Sequence, residues 1–160
     1  MIRFIKKSEI EACVELIRKS FLTVAQEYEF TKENAPGFTA FSITAEKLNQ
    51  QYEDGRAMYG YFDMNERILG YYSLQILENG ECELNNLCVL PTYRHQHIGE
   101  ILFSHSLTTA SEKGCQKLNI SIVEENQKLR AWYENLGAKH IGTEKFDFFP
   151  FTCGYMEKDL

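Results

Sequence analysis

The spacing of the apolar residues changes at Pro91, and this change constrains the fold more than any other feature of the sequence. Before Pro91, three segments rich in aromatic and branched residues have the character of strands: Ala57 to Asp63, Ile68 to Leu77 and Cys82 to Val89. The pair Asn79-Gly80 is typical of a tight hairpin turn between the last two segments. Past Pro91, apolar residues recur at helical spacing from Ile98 towards Gly114, which predicts a helix. An antiparallel meander therefore leads directly into a helix.

The second half of the chain continues to alternate between strands and helices. A strand, a helix and two further strands are predicted at Leu118 to Ile122, Gln127 to Leu136, Ala138 to Glu144 and Phe151 to Glu157. A strand-helix-strand unit joined to an antiparallel half requires a mixed sheet. We therefore predict an α+β (mixed α/β) fold in one domain over residues 1–160. Its central mixed, mostly antiparallel sheet would be flanked by about four helices.

The N-terminal third predicts a short strand, two helices and a less regular segment. The apolar start, Ile2 to Ile5, is the strand. Ser8-Glu9-Ile10-Glu11 has the form of a capping box, and apolar residues then repeat at helical spacing, which predicts a helix from about Ser8 to Phe21. A second helix is predicted over Thr44 to Tyr52. The stretch between the two helices contains a Pro36-Gly37 break, and we expect a loop or short irregular helices there.

Composition and charge limit the kinds of partner. The 160 residues include 17 Lys and Arg against 23 Asp and Glu, a net charge of −6. This charge disfavours a sequence-independent nucleic-acid binder, which needs a basic face. No apolar run is long enough to cross a membrane, and the N-terminus lacks the apolar core of a signal peptide. We expect a cytoplasmic protein without a nucleic-acid or membrane partner.

The cysteines and histidines are not spaced for metal binding. The five cysteines are scattered and include no C-x-x-C pair, so buried, reduced thiols are expected. Cys88 lies between two apolar residues, and we expect it to be buried and inert rather than nucleophilic. The histidines do not converge with carboxylates or thiols at metal spacing: His95, His97, His105 and His140. No metal site is predicted.

A polar turn joins the third strand of the meander to the helix after Pro91. N–H groups at the start of a helix are unpaired and carry the positive end of the helix dipole. The segment from Leu87 to Leu102 is therefore a candidate anion site that would fit a pyrophosphate. The alternative is an ordinary strand-to-helix connection with a helix cap. Neither a Walker A sequence nor a G-x-G-x-x-G fingerprint is present, so binding of ATP or NAD by those motifs is not supported.

Two motifs in the second half resemble those of the GNAT acetyltransferase superfamily. The run Leu87-x-Val89-x-Pro91-x-Tyr93-Arg94 to Ile98-Gly99-x-x-Leu102 is similar to the family motif whose Arg/Gln-x-x-Gly-x-Gly/Ala turn binds the pyrophosphate of acetyl-CoA. Asn126 followed by Trp132-Tyr133-Glu134-Asn135-Leu136-Gly137-Ala138 is similar to the second motif. The resemblance implies an N-acetyltransferase with acetyl-CoA as cosubstrate. It also implies these coenzyme-binding residues: Leu87, Cys88, Val89, Arg94, His95, Gln96, His97, Ile98, Gly99, Glu100 and Asn126.

The turn departs from the family pattern at two positions. His97 stands where the family usually has the central glycine, His95 replaces another common glycine, and Gly99 remains. Glycine allows the backbone to approach the phosphates closely, whereas His97 would still donate its N–H if its φ angle is negative. The departures leave the affinity for the coenzyme and the geometry of the turn open.

The resemblance implies direct attack of an amine on the thioester carbonyl, with coenzyme A leaving as a thiolate. An alkylamine with a pKa of about 10 is mostly protonated at neutral pH, so a base is required. Glu83 lies six residues before Val89, where several family members carry a catalytic glutamate, and is the candidate base. Glu81 is the fallback. The alternative interpretation of Glu83 is an exposed strand carboxylate.

Three further roles are implied by the same resemblance. Tyr133, at the usual tyrosine position, is the candidate general acid, and the alternative is a tyrosine packed on its helix. A main-chain N–H between Leu87 and Val89 would bind the oxyanion. Asn126 would contact the pantetheine arm, cap the following helix, or do both.

The acceptor amine is not encoded in these motifs. In the family it is bound largely by the segment after the first helix and by the loop before the last strand, here Glu27 to Phe41 and Phe146 to Phe151. Both segments are aromatic, and the first is acidic, which suggests a cationic, partly apolar small-molecule or peptide amine. Phe148, Phe149 and Phe151 are alternatively core residues or the interface of a homodimer. Two different functions stay open: acetylation of a protein N-terminus or lysine, and coenzyme A binding by a regulatory module without turnover.

Overall fold

A seven-stranded sheet forms the centre of the computed structural model, which describes all 160 residues. The strands in chain order are β1 (Ile2–Phe4), β2 (Ala57–Phe62), β3 (Ile68–Ile76), β4 (Glu81–Val89), β5 (Lys117–Val123), β6 (Lys139–Lys145) and β7 (Thr152–Asp159). Across the sheet they are arranged β1-β2-β3-β4-β5-β7-β6. The pair β4–β5 is parallel, and every other pair is antiparallel.

Five helices flank the sheet: α1 (Ile10–Glu27), α2 (Thr39–Ser42), α3 (Ala45–Glu53), α4 (Ile98–Glu112) and α5 (Gln127–Asn135). The predicted α+β fold with a mixed, mostly antiparallel sheet is therefore confirmed. The helix count exceeds the predicted four because the segment expected to be irregular contains the short α2. Its single turn is stabilised by main-chain bonds to Phe38, whose carbonyl accepts from Phe41 and Ser42.

The turn signals in the sequence correctly placed the ends of several elements. Asn79 (φ +64°) and Gly80 (φ +75°) form the hairpin turn between β3 and β4. Gly114, with φ +84°, follows α4 in the left-handed conformation typical of a helix C-terminus. Pro91 opens a short 3₁₀ turn that ends β4 and precedes α4. Thr44 caps α3, because its hydroxyl accepts from the Lys47 N–H at 3.2 Å.

The predicted capping box at the start of α1 is wrong. Ser8 lies within a 3₁₀ turn over Lys7–Glu9, and Glu9 takes the N-cap position without a side-chain hydrogen bond. α1 also runs beyond the predicted end at Phe21. Ala25, in the added turns, is buried against Phe30 and Phe38, so tertiary packing extends the helix past its periodic part.

Two apolar clusters cover opposite faces of the sheet. On one face, α4 and α5 bury a cluster that includes Leu102, Phe103 and Tyr133. On the other face, α1 and α3 cover a second cluster, which includes Ile17 and Leu48. A third cluster, of buried phenylalanine and alanine residues, joins the end of α1 to the start of β7. The sheet is thus enclosed on both faces near β3 and β4, where the candidate site lies.

Candidate active site

β4 and β5 separate beyond Leu84 and Ile120, and this opens a gap in the sheet. The two strands are paired up to Leu84–Ile120 and no further. β4 continues beside β3 to Val89, and β5 continues beside β7 to Val123. The two parallel strands therefore diverge, and the edge of β4 that faces the gap has no strand partner there.

A bulge at Asn86 accompanies the divergence of β4. Asn86 has φ +54°, and the register between β3 and β4 shifts at this level. As a result Leu84 faces the α4–α5 cluster, whereas Cys88, four residues later, faces the α1–α3 cluster. A bulge bends and twists its strand, which here accounts for the exchange of faces.

The turn between β4 and α4 presents a row of free main-chain donors. None of the N–H groups from His95 to Glu100 has a main-chain acceptor, and the first helical bond of α4 joins Ile101 N–H to the His97 carbonyl. Consecutive free N–H groups at a helix N-terminus form a concave anion site. This chemistry fits the pyrophosphate of acetyl-CoA.

The two histidines of this turn adopt a conformation that glycine usually takes. His95 has φ +64° and His97 has φ +66°. His97 therefore does not meet the condition of a negative φ that was set for donation of its N–H. The N–H of His97 is nevertheless free, because the left-handed conformation of the glycine pattern is kept with a larger side chain.

Arg94 is directed to α1 rather than to the turn. Its guanidinium donates to the Thr23 hydroxyl at 3.0 Å and to the carbonyl and hydroxyl oxygens of Ser20 at 3.0 and 3.1 Å. These contacts fix the start of the turn against α1. The sequence motifs do not identify Ser20 and Thr23. The available signal is Ser20, a polar residue three positions after Ile17 on the buried stripe of α1.

Gly99 permits close packing between α4 and α5. A Cβ at Gly99 would lie 3.2 Å from Cζ2 of Trp132. Of its neighbours, Ile98 is buried in the core, so its side chain faces away from solvent, and Gln96 is exposed. Glu100 is also exposed, and its Oε2 is 3.2 Å from Nδ1 of His97. The predicted coenzyme residues of the turn are thus contiguous, with their main chain available.

The three β4 residues of the motif differ in burial. Cys88 is buried, as predicted, and burial raises the pKa of its thiol to about 12, so the thiol is inert at neutral pH. Leu87 and Val89 are partly buried and pack against the α4–α5 cluster. All five cysteines are free thiols, and Cys153 departs from the prediction because it is only partly buried.

Tyr133 is packed in the α4–α5 cluster and also faces β4. Its ring contacts those of Phe103 and Trp132, with centroids 5.5 and 4.9 Å apart. Burial, and to a lesser degree the nearby Cys88 thiol, raise the pKa of Tyr133 above its usual range. The phenol is protonated at neutral pH, as it would be at the ordinary tyrosine pKa of about 10, and burial makes it a weaker acid than an exposed tyrosine.

Asn126 caps α5 at the end of β5. Its side-chain oxygen accepts from the Leu129 N–H at 3.2 Å, which confirms the capping role. The contact with the pantetheine arm stays a prediction. Neighbouring Glu124 bonds to Arg130 of α5 at 3.0 Å and to His140 of β6 at 2.8 Å. These contacts hold the connection between β5 and α5 in place.

Glu83 lies one residue before the gap opens. Its neighbours across the sheet are Gln75 of β3 and Asn119 of β5. Its Oε1 accepts from Nδ2 of Asn85 at 2.9 Å. Because Leu84 faces the α4–α5 cluster, Glu83 projects to the opposite face. Glu81, the fallback base, is two residues further from the gap and pairs with Lys117.

The two segments expected to bind the acceptor meet in the third cluster. Phe151 is buried and lies 4.9 Å from the ring of Phe30 and 5.8 Å from that of Phe38. Phe151 is therefore a core residue, one of the alternatives considered for the three phenylalanines of this loop. Phe149 stacks on Phe151 at 4.7 Å, whereas Phe148 is 66% exposed at the tip of the loop.

Carboxylates flank this aromatic cluster. Glu125 accepts from the Thr152 N–H at 3.0 Å. Glu144 accepts from the Tyr155 hydroxyl at 2.8 Å, and this bond is the main reason that the pKa of Tyr155 is raised to about 12. Glu27 is exposed at the end of α1. Lys145 lies here as well, with its Nζ donating to the carbonyls of Phe146 and Phe149, so carboxylates and one ammonium group border the aromatic cluster.

The histidines outside the turn have structural partners. His105 Nδ1 is 2.6 Å from the Tyr72 hydroxyl, and His140 bonds to Glu124. No three His, Cys, Asp or Glu side chains converge as metal ligands. None of the helices is both long and apolar enough to cross a membrane.

Diverging parallel strands followed by a turn of free N–H donors form a site suited to an anionic, phosphorylated ligand. The profile of the acetyltransferase (GNAT) family matches residues 13–138. The chain therefore belongs to the GNAT family and is an acetyl-CoA-dependent N-acetyltransferase. The predictions of an acyltransferase and of acetyl-CoA as cosubstrate are confirmed.

Relatives and solved structures agree with this assignment. Thialysine N-epsilon-acetyltransferase of Bos taurus is 27% identical over 150 residues, which cover 88% of this chain and 85% of that protein. The ribosomal protein bS18-alanine N-acetyltransferase of Haemophilus influenzae is 30% identical over 93 residues, 58% of this chain and 62% of that protein. The PaiA N-acetyltransferase of Thermoplasma acidophilum, crystallised with coenzyme A, shares the fold with a TM-score of 0.83 at 20% identity, covering 100% of this chain and 98% of that one.

Proposed function

We propose that this enzyme transfers the acetyl group of acetyl-CoA to a primary amine by direct attack, with Glu83 as general base and Tyr133 as general acid. The observation that carries the proposal is the position of the two residues around the gap. Glu83 precedes the gap on the face away from α5, and Tyr133 approaches β4 from the α5 side. A base on one face and an acid on the other fit a transfer across the gap.

The two side chains have the properties that these roles need. Acetyl-CoA supplies the activated acetyl thioester. The Glu83 carboxylate takes a proton from the incoming ammonium group, directly or through water, and the hydrogen bond from Asn85 orients it. The Tyr133 hydroxyl is protonated at neutral pH, as a tyrosine with a pKa of about 10 or above is, and it would donate a proton or a hydrogen bond to the departing thiolate.

The coenzyme is held mainly by main-chain groups in this proposal. The free N–H groups from His95 to Glu100, which include those of Gln96, Ile98 and Gly99, bind the pyrophosphate. A main-chain N–H of the unpaired β4 edge between Leu87 and Val89 binds the carbonyl oxygen. Asn126 contacts the pantetheine arm while capping α5. Arg94 supports the turn from α1.

The acceptor is a cationic small-molecule or peptide amine. The acidic and aromatic surroundings of the acceptor segments support this class, since Glu125 and Glu144 lie beside the Phe149–Phe151 stack. The two relatives named above differ in acceptor: one is named for thialysine and the other for the alanine of a ribosomal protein. An amine panel and peptides with an N-terminal alanine, compared by thiol release, would separate the two subclasses.

The catalytic roles are tested by three variants in a thiol-release assay. Glu83→Gln is expected to lower kcat by roughly 10²–10⁴, the usual contribution of a general base, with unchanged coenzyme affinity. Tyr133→Phe is expected to lower kcat by about 10-fold or more. Glu81→Gln is the matched control and should retain wild-type kcat. If Glu83→Gln is as active as the wild type, Glu83 is not the base; coenzyme binding without any thiol release would instead favour a regulatory module.

A further inference from the structure

Arg56, between α3 and β2, is the one arginine of the chain whose guanidinium has no partner. Every other arginine forms a side-chain hydrogen bond. The acidic residues just before Arg56 are engaged elsewhere: Glu53 binds Lys7 at 2.7 Å. Asp54 accepts from Gln50 at 2.9 Å. Arg56 is half-buried, and charged groups that lose part of their water are normally paired. Its guanidinium is therefore free to bind an anion.

The buried polar side-chain atoms of the chain that lack a hydrogen-bond partner lie around Arg56: Gln51 Oε1, Tyr71 Oη and Ser73 Oγ. The Gln51 carbonyl accepts from the Arg56 N–H at 3.0 Å. Burial raises the pKa of Tyr71, and the Ser73 hydroxyl and the Arg56 charge partly offset this, so both groups lie near the phenol. Buried hydroxyl groups almost always have a partner, and leaving one unpaired costs free energy. Tyr71 and Ser73, which are both fully buried, therefore indicate a ligand that accepts hydrogen bonds.

Arg56 and the candidate base Glu83 lie in one row across three strands. Gln75 of β3 pairs with Glu83 of β4. Ala57 of β2 pairs with Leu74, the residue before Gln75, so Arg56 is beside Gln75. Gln75 is exposed, and the residues on either side of it in the row are partly exposed, so the row is open to solvent. Two strand spacings, about 10 Å, separate the main chains of Arg56 and Glu83.

Ser73 lies in the adjoining row, next to the hydrogen bond that orients Glu83. It pairs with Asn85, whose side-chain amide donates to Glu83 at 2.9 Å. It also pairs with Met58 of β2, which belongs to the α1–α3 cluster, so the Ser73 hydroxyl is on the same face of the sheet as Glu83. A ligand on this face can therefore meet Arg56 at one end and Glu83 at the other, with the Ser73 hydroxyl behind it.

We propose that the acceptor carries a carboxylate as well as its reacting amine, and that Arg56, assisted by the Ser73 hydroxyl, binds this carboxylate while the amine faces Glu83. A guanidinium matches a carboxylate in charge and in geometry, because two N–H groups can meet the two oxygens. The separation of Arg56 and Glu83 favours an amine and a carboxylate several carbon atoms apart, as in a free amino acid with an amine at the end of its side chain. This inference rests on the proposed function, since it takes Glu83 as the base.

The test compares 6-aminohexanoate with pentylamine in the thiol-release assay. Both probes carry an amine on a five-carbon chain, and only the first has a carboxylate. We expect kcat/KM of the wild type to be at least about tenfold higher for 6-aminohexanoate, the gain expected from a charge-assisted hydrogen bond. Arg56→Gln should bring this ratio close to one, and Arg56→Lys, which keeps the charge without the planar fork, should retain part of it. Ser73→Ala should lower the ratio about twofold to tenfold.

A control variant and a binding measurement sharpen the test. Lys128→Gln removes an exposed cation from α5, on the other face of the sheet, and it should leave the ratio unchanged. Calorimetric titration of 6-aminohexanoate measures the carboxylate site without turnover, and we expect Arg56→Gln to raise Kd at least about tenfold. Thermal unfolding verifies that each variant is folded.

The outcomes separate this inference from the proposed reaction. Equal kcat/KM of the wild type for the two amines overturns the inference and leaves the proposed function intact. An equal loss for both amines in Arg56→Gln also overturns it, because that result indicates a structural role. If the wild type releases no thiol with any amine, the proposed function fails, and the titration alone decides: equal Kd in the wild type and Arg56→Gln overturns the inference. A Ser73→Ala variant with a higher Tm and an unchanged ratio refutes the part assigned to its hydroxyl.

Discussion

Replacing Gly154 of β7 with alanine tests how tightly the end of β5 is fixed. Gly154 lies beside Ile122 of β5 and Thr143 of β6. A Cβ at this position would lie 2.1 Å from Oε2 of Glu124 and 3.0 Å from Cγ1 of Ile122. These separations are too short for van der Waals contact, so the Glu124 carboxylate must move.

The Glu124 carboxylate cannot move without losing its partners. Oε2 is 2.8 Å from Nε2 of His140, and Oε1 accepts from Arg130 at 3.0 Å, in side chains that are mostly buried. Loss of a hydrogen bond to a charged group costs about 1.5–3 kcal/mol. Overpacking against Ile122 costs about 1–3 kcal/mol. Because one displacement causes both effects, we expect Gly154→Ala to lower the free energy of unfolding by about 2–4 kcal/mol.

Urea and thermal unfolding measure this loss, which corresponds to a decrease of roughly 10 °C in Tm for a chain of this size. Gly142→Ala is the matched control: it lies on neighbouring β6, and its Cβ would meet no atom within 4 Å. In a Glu124→Ala background the clash with the carboxylate is relieved and only the contact with Ile122 remains, so Gly154→Ala should then cost less than in the wild type, about 1–3 kcal/mol. Equal losses in the two backgrounds would refute the reasoning.

Two further predictions concern the turn and the buried thiols. Arg94→Met should lower the stability of the coenzyme-free protein by about 1–3 kcal/mol in urea unfolding, because the bonds to Ser20 and Thr23 are lost. Unchanged stability with weaker coenzyme binding would show instead that Arg94 serves the phosphates. Burial raises the pKa of Cys13 and Cys88 from 9.0 to about 12, so stability is full below pH 9 and falls by about 1.4 kcal/mol per pH unit and thiol as the pH rises towards 12. Urea unfolding at about pH 8 and 10.5 checks this: Cys88→Ala should lose part of the dependence, and equal stability of the wild type at both values contradicts it.

The elements with strong local signals are the ones that the sequence predicts well. The Asn79-Gly80 pair fixes the hairpin because both residues take positive φ, and Thr44 fixes the start of α3 through its hydroxyl. Gly114 ends α4 for the same local reason. Such signals depend on a few neighbouring residues, so they can be recognised in the sequence without knowledge of the tertiary structure.

The ends of α1 and the presence of α2 depend on packing instead. The start of α1 has a capping-box sequence, yet a 3₁₀ turn over Lys7–Glu9 takes its place. Its last turns are stabilised by burial of Ala25 under Phe30 and Phe38, which come from outside the helix. Periodicity within α1 does not contain this information, because the partners are brought there by the chain after it.

The motifs also did not predict which side chains form hydrogen bonds with one another in the site. The motif places Arg94 beside the phosphates, whereas the structure binds it to Ser20 and Thr23, which precede it by more than 70 residues. Asn85 is two residues from Glu83, and a hydrogen bond between alternate residues on one strand face has no sequence signature of its own. The positive φ of His97 could not be predicted from the sequence either, because histidine rarely takes this conformation.

The reaction is easier to predict than the acceptor because the residues at the coenzyme turn are contiguous in sequence, whereas those of the acceptor region come from distant segments. The coenzyme turn and the β4 edge form one continuous segment, residues 87–100, so a motif describes them. The acceptor region brings Phe30 and Phe38 against Phe151, which lies more than 100 residues further along the chain. Exposed Phe148 at the loop tip is free to differ without disturbing the fold. Relatives named for thialysine and for a ribosomal alanine are therefore compatible with one coenzyme turn, and the acceptor must be sought in the contacts between these distant segments.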